Sequence, residues 1–197
     1  DSGAHFTFGT TDVTRTLHFG EPTAYQKRCF TRVLQGHVAL DQAVFPYNTT
    51  GYVIDALARA PGWRDHLQYL HGTGHGVGHY LNVHEPPMGI GTRLVFNETG
   101  LKAGMVISNE PGYYLDGHWG IRIENLVVVQ PHTLPNGEPE PPSSRGFLRF
   151  EHITLVPIQT KLIDPELLSP AEREWVNSYH DEVLTKLRPV SYTHLTL

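Results

Sequence analysis

The chain has 197 residues, a hydrophobic fraction of 39% and 10% aromatics, enough for one domain with its own core and too much for a disordered or fibrous protein. Its formal net charge is −5 with no basic run, which argues against a phosphate-backbone partner, and no apolar stretch approaches the ~20 residues that span a bilayer. The single cysteine, Cys29, precludes an internal disulfide, and the first residues lack the basic and apolar regions of a signal peptide.

A cytoplasmic protein without nucleic-acid or membrane partners is the reading these features favour. An internal piece of a secreted or anchored protein would share them, and sequons at Asn48 and Asn97 weigh weakly on that side.

In chain order, Phe6–Phe8 and Val13–Leu17 are strand formers around Gly9 and Thr10, which predicts a hairpin. Thr23 caps a helix running from Ala24 to Phe45, whose periodic positions are Tyr25, Cys29, Val33, Leu34, Val38 and Leu40; Pro46 stops it. Thr50 caps a shorter helix through Ala60, and Pro61-Gly62 breaks the chain before another short helical piece ending near Leu70. From His71 to Gly91, glycines and histidines predict short strands and tight turns where backbone approaches something closely.

Strands are predicted over Met105–Ser108, Gly120–Val129 and Phe147–Ile158, with a surface loop over Thr133–Arg145. Ser169, Pro170 and Glu172 form a capping box that opens a helix through Leu187. Its core face is Trp175, Val176, Tyr179, Val183, Leu184 and Leu187. Residues 1–190 read as one domain, and SYTHLTL at 191–197 continues no pattern and reads as a non-native tail. Strands and helices mixed without βαβ alternation predict an α+β architecture, one curved antiparallel sheet with helices on its outer face.

Histidine occurs 13 times, and four of these residues cluster at His71, His75, His79 and His84. A dinuclear metal site needs converging oxygen and nitrogen donors, some able to bridge, and five separated candidates are Asp1, Asp12, His75, Glu110 and Glu124. Asp1 and Asp12 fall on the two arms of the hairpin, where cross-strand side chains meet. Glu110 sits in SNEPGYY at the end of a strand, and Glu124 in GIRIENLVVV shares a strand face with Arg122. Singly, each has a bland reading: a terminal acid, a turn residue, a packing histidine, a surface acid, an ion pair with Arg122.

Together, their order and surroundings resemble the metal-dependent pita-bread peptidases, from Asp1 to about Leu187. The matching stretches are DSGAHFTFGTTDVTRT, HGTGHGVG with VHE, SNEPGYY, GIRIEN and FEHITLVPIQTKLID. Within that fold they resemble Xaa-Pro aminopeptidases, most closely the cytosolic eukaryotic-type branch. The resemblance implies a catalytic domain that is incomplete at its N-terminus. It implies that Asp12 and Glu124 bridge two divalent ions, that Asp1 completes one, and that His75 with Glu110 completes the other. Manganese is the implied metal, and four carboxylates with one imidazole are hard donors that suit it.

The implied reaction is removal of the residue before a proline at a peptide's N-terminus, with a metal-bridging hydroxide as nucleophile and Glu110 moving its proton. His71 and His84 are the implied catalytic and substrate-contacting histidines, able to polarise the scissile carbonyl or hold the oxyanion. Arg122 and Tyr114 are implied supporting residues at the substrate pocket, which Trp119 is also expected to line. The implied partners are peptides with proline second, and a homodimer is expected of the full-length protein. Prolidase and methionine aminopeptidase are the near alternatives, and a metal-free scaffold is the distant one.

Overall fold

The structure, a computed structural model, describes residues 1–134 and 145–190. Most of the predicted loop over Thr133–Arg145 and the whole of the tail at 191–197 lie outside the described residues.

The elements in order are β1 (Ser2–Phe6), β2 (Gly9–Val13), α1 (Ala24–Asp41), β3 (Val44–Pro46), α2 (Gly51–Trp63), β4 (Gly74–His75), β5 (Gly89–Ile90), β6 (Val106–Asn109), β7 (Gly112–Leu115), β8 (Trp119–Arg122), β9 (Asn125–His132), β10 (Phe147–His152) and α3 (Pro170–Leu187). Helices and antiparallel strands mix as the sequence predicts. The central sheet has order β3-β10-β9-β6, and the pairs β1–β2, β4–β5 and β7–β8 are separate ribbons. Isolated bridges Thr14↔Glu124 and Gly76↔Ile107 tie two of these ribbons to the central strands.

Helix α1 begins where the sequence predicts. Thr23 Oγ1 accepts from the Gln26 amide at 3.2 Å, and Gln26 Oε1 accepts from the Thr23 amide at 2.8 Å. It ends at Asp41 rather than Phe45, because Val44–Pro46 leaves to pair with β10 and Phe45 enters the core. The residue before a proline favours extended backbone, which agrees with that exit.

Helix α2 runs through Pro61-Gly62 to Trp63, so the predicted break is absent. Pro61 lies in the last turn, where its missing amide costs one helical hydrogen bond and no continuing helix suffers. Thr50 makes no side-chain cap; its hydroxyl donates to Asn97 Oδ1 at 2.8 Å. The short helical piece predicted to end near Leu70 does not form: residues 64–70 are turn and irregular backbone. His66 takes the left-handed conformation (φ 58°), and the Leu67 amide returns to the Gly62 carbonyl at 3.0 Å, which closes the helix end.

Helix α3 forms over the predicted span, with both hydrogen bonds of its capping box present. Trp175, Val176, Tyr179 and Val183 are buried with Cys29, Phe30, Val33 and Leu34 of α1 and with Ile121 and Ile123 in one core. A second core joins Ile54 and Ala58 of α2 to Ile107, Val127, Val129, Leu148 and Phe150 of the sheet. The helices approach closely at Gly36, where a Cβ would lie 2.1 Å from the Ala58 carbonyl oxygen.

Two predicted strands are shorter than expected. Gly120–Val129 is interrupted at Ile123 and Glu124, since β8 pairs with β7 while β9 pairs with β6 and β10. Phe147–Ile158 ends at His152, because the side chains of Arg15 and Tyr179 take the Val156 carbonyl in place of a neighbouring strand.

Candidate metal centre

Strand ends and ribbon joints carry every candidate ligand. Asp12 lies opposite Gly3 in the β1–β2 register, so Asp1, two residues before Gly3, shares its face as a diagonal neighbour. His75 ends β4, and Glu110 follows β6. Glu124 occupies the joint between β8 and β9, where its amide donates to the Thr14 carbonyl at 3.1 Å. Only glycine fits at Gly74, because a Cβ there would lie 1.9 Å from the Ser108 carbonyl oxygen, and this close approach brings His75 beside Glu110.

Asp12, His75 and Glu124 offer donor atoms that all lie within 4.8 Å of one another. His75 Nε2 is 3.4 Å from Asp12 Oδ2 and 3.3 Å from Glu110 Oε1. Its Nδ1 lies 2.9 Å from the Gly76 carbonyl, which can only accept, so Nδ1 carries the hydrogen. In the neutral ring the Nε2 lone pair then faces two carboxylate oxygens. That arrangement repels unless a proton or cation lies between them, and it is the tautomer a metal-ligating histidine adopts.

The acids are crowded in the same sense. Burial, then the charge of Glu110, pushes the Glu124 carboxyl up to about 7 against an ordinary 4.5, with Thr14 hydrogen-bonding in opposition. Burial raises Glu110 as well, although His75, Ser108 and Arg122 all favour its charged form. Burial works against a charged His75 ring, but the hydrogen bond with Asp12, the Gly76 carbonyl and the charge of Glu110 outweigh it. Buried acids without matching positive charge are costly, and divalent cations would supply that charge. The chemistry of Asp12, His75 and Glu124, with Glu110 beside His75, therefore fits a divalent cation.

Asp1 lies outside the three-residue cluster. Its side chain is 55% exposed, and Oδ2 accepts from Arg122 Nη1 at 3.0 Å. The same nitrogen is 3.5 Å from Glu110 Oε2, so Arg122 links the two outer candidate ligands.

A cavity of about 630 Å³ opens beside the acids, lined by His71, His75, His84, Glu110, Tyr114 and Arg122, with Pro86, Pro87, Met88, Val95 and Phe96 as its apolar wall. Along one side, Arg122 Nε donates to the Tyr114 oxygen at 3.0 Å, and the Tyr114 hydroxyl donates to His71 Nε2 at 2.8 Å. His71 Nδ1 donates to the Gly72 carbonyl at 2.7 Å, and burial lowers the ring's pKa, which favours its neutral form. His84 is exposed and stands edge-on to His75 at 4.3 Å between ring centroids. Trp119 is absent from the cavity wall; it packs edge-on against Tyr25 and Tyr113.

Sequence reasoning missed the residues that hold the ligands. Ser108 Oγ donates to Glu110 Oε1 at 2.9 Å and accepts the His75 amide at 3.0 Å. Thr14 Oγ1 donates to Glu124 Oε2. Arg15 donates to the Glu124 carbonyl at 2.7 Å, to Asn125 Oδ1 at 2.6 Å and to the Tyr179 hydroxyl at 2.8 Å. A signal was present for Thr14 and Ser108: each lies two residues from a candidate ligand, on the same strand face.

Residues 1–131 match metallopeptidase family M24, and residues 146–191 match the C-terminal region of that family. The chain belongs to metallopeptidase family M24. Among curated M24 relatives, a probable Xaa-Pro aminopeptidase P of Coprinopsis cinerea is 61% identical over 190 residues, which is 96% of this chain and 30% of the relative. A solved X-prolyl aminopeptidase of Caenorhabditis elegans, described as a cytosolic enzyme with a di-nuclear active site, superposes with a TM-score of 0.88. It is 43% identical over 96% of this chain and 30% of its own. An Xaa-Pro dipeptidase of Bacillus anthracis is more distant, with a TM-score of 0.57 and 29% identity over 76% of this chain and 36% of its own. The M24 chain thus spans about 30% of the length of its aminopeptidase relatives and carries part of the pita-bread fold.

His84 tests the border of the site. Replacing it by alanine should lower turnover about tenfold with metal content unchanged, because an exposed donor falls below the 10²–10³-fold of a water-excluded one. Loss of metal in that variant, read by elemental analysis, would make His84 a ligand.

Proposed function

We propose that the protein carrying this segment is a dinuclear metal aminopeptidase that hydrolyses the bond between an N-terminal residue and a following proline. The observation that carries this reading is the convergence of Asp12, His75 and Glu124, with Glu110 3.3 Å from His75 and both of those residues lining a cavity with an apolar wall. Asp1 and Glu110 complete the ligand set, and Mn²⁺ is the metal that its hard donors favour. Bound there, two divalent ions would act as Lewis acids and make hydroxide available as a nucleophile near neutral pH.

The remaining chemistry belongs to the chain. Glu110 takes a proton from the attacking water on a carboxylate oxygen and delivers it to the proline nitrogen as that nitrogen leaves. Ser108 and Arg122 fix its two oxygens. Tyr114, polarised by Arg122 and hydrogen-bonded to His71, turns its oxygen to the bound peptide, with the His71 ring beside it, and His84 lines the same cavity. A proline in the substrate has no amide hydrogen, so its ring must be recognised by shape, for which Pro86, Pro87, Met88 and Phe96 supply the surface.

The aminopeptidase reading is favoured over a dipeptidase by the closer likeness to the nematode enzyme, and a scaffold reading is disfavoured by the filled ligand positions. Cytosolic action follows the same likeness. Among the described residues no helix is long and apolar enough to cross a membrane. The longer Mn²⁺-loaded protein should release the first residue from Xaa-Pro-Xaa peptides at least about tenfold faster than from Xaa-Ala-Xaa peptides or Xaa-Pro dipeptides. Mass spectrometry of the products decides: equal rates on Xaa-Ala would remove the proline specificity, and preference for dipeptides would make it a prolidase.

A further inference from the structure

A buried ion pair on α2 reaches the histidine loop from outside the cavity. Asp55 and Arg59, one helical turn apart, are 3% and 6% exposed, and Arg59 Nε donates to Asp55 Oδ2 at 2.6 Å. Burying both charges is expensive, and an exposed pair at the same spacing would serve the helix as well. The other guanidinium donors give the pair its use. Nη1 donates to the Tyr69 carbonyl at 2.7 Å and Nη2 to the His71 carbonyl at 2.8 Å, while the guanidinium carbon lies 4.0 Å over the Tyr69 ring.

Residues 67–73 belong to no strand, so their carbonyls have no ladder to bind. The flat guanidinium fork holds both the Tyr69 and the His71 carbonyl, as a neighbouring strand would. Thr73 closes the loop. Its hydroxyl donates to Asp55 Oδ1 and lies 2.7 Å from the Tyr69 hydroxyl, and its carbonyl accepts the Glu110 amide at 2.8 Å. Neither Asp55 nor Arg59 lines the cavity.

We propose that Asp55 and Arg59 are positioning residues for the reaction: by templating Tyr69–Thr73 they set where His71 meets the peptide and where Glu110 stands. The effect on turnover rests on the aminopeptidase reading; the effect on backbone order does not.

The test is Arg59→Lys in the longer protein, which keeps a charge beside Asp55 but cannot reach both carbonyls. Metal content should be unchanged, kcat should fall about tenfold, and the Glu110 amide should exchange with solvent about tenfold faster. In a His71→Ala background the same change should cost less than it does in the wild type, because the part of its effect that runs through His71 is removed. Tyr69→Phe, which keeps the ring and removes the hydroxyl, should show a smaller loss with the same coupling and carries the cycle if Arg59→Lys does not fold. Equal losses in both backgrounds with a lowered thermal midpoint would reduce the pair to a structural one. Unchanged Glu110 exchange would overturn the proposal, even in a protein that cleaves no Xaa-Pro peptide.

Discussion

Replacing Glu124 by glutamine is expected to cut turnover by at least about a thousandfold, beyond the 10–100-fold typical of outer-shell changes, while making the metal-free protein more stable. Both effects have one cause. The carboxyl is 1% exposed and its pKa is raised from 4.5 to about 7 by burial and by Glu110. Between those values the folded protein binds more protons than the unfolded chain, so this group's contribution to stability falls as pH rises through the window and stays lost above it. Glutamine keeps the shape and can still accept from Thr14, but it carries no charge to desolvate. In chelator, the variant's thermal midpoint should exceed that of the wild type at pH 8, by roughly 2–4 °C for each kcal/mol relieved, and match it below about pH 4.5. With metal the order reverses. An amide offers one acceptor oxygen and no charge, so the proposed bridge between two ions would be lost, and elemental analysis of Mn²⁺-loaded protein should fall below two ions per chain. Retention of two ions with turnover within tenfold, or a lowered midpoint at pH 8, would remove Glu124 from the bridging role.

In the sequence Asp12 stood out by its place on the hairpin, and Glu110 and Glu124 by their places at the end of a strand and on one. Their separation along the chain hid which of them meet, and the resemblance to a known family supplied the grouping. Helix ends written in local chemistry were also legible, as at Thr23 with Gln26 and Ser169 with Glu172. What failed was set by distant residues. Glu124 ends a strand because Thr14, 110 positions earlier, takes its backbone and its carboxylate. The stretch after His152 leaves the sheet because Arg15, 141 positions from Val156, holds its carbonyls. Pro61 was read as a break from its intrinsic cost, and tertiary burial of Ala58 and Pro61 outweighed that cost. Trp119 was assigned to the cavity by residue type alone, and its aromatic neighbours Tyr25 and Tyr113 claim it for the core edge.

Arg122→Lys is expected to lower turnover on the order of a hundredfold, nearly as far as Arg122→Ala, and to weaken metal binding by about 10–100-fold. Arg122 uses Nη1 for Asp1 and Glu110 and Nε for Tyr114, three partners that one flat fork can meet and one ammonium cannot. Two effects on the ions oppose each other. Removing a positive charge deepens the negative potential that attracts a cation, whereas freeing Asp1 releases a proposed ligand from its position. The side chains of Arg122 and Asp1 are 28% and 55% exposed, so water screens the charge term. Ligand placement is not screened, and it decides the sign. The lysine variant separates the two effects, because it restores the charge without the fork. Metal titration followed by turnover on an Xaa-Pro-Xaa peptide checks both. If lysine restored affinity and turnover to within about twofold of arginine, charge alone would account for Arg122, and Asp1 and Tyr114 would need no common anchor. If alanine bound the metal more tightly than wild type, the potential would dominate, and Asp1 would lie outside the ligand set.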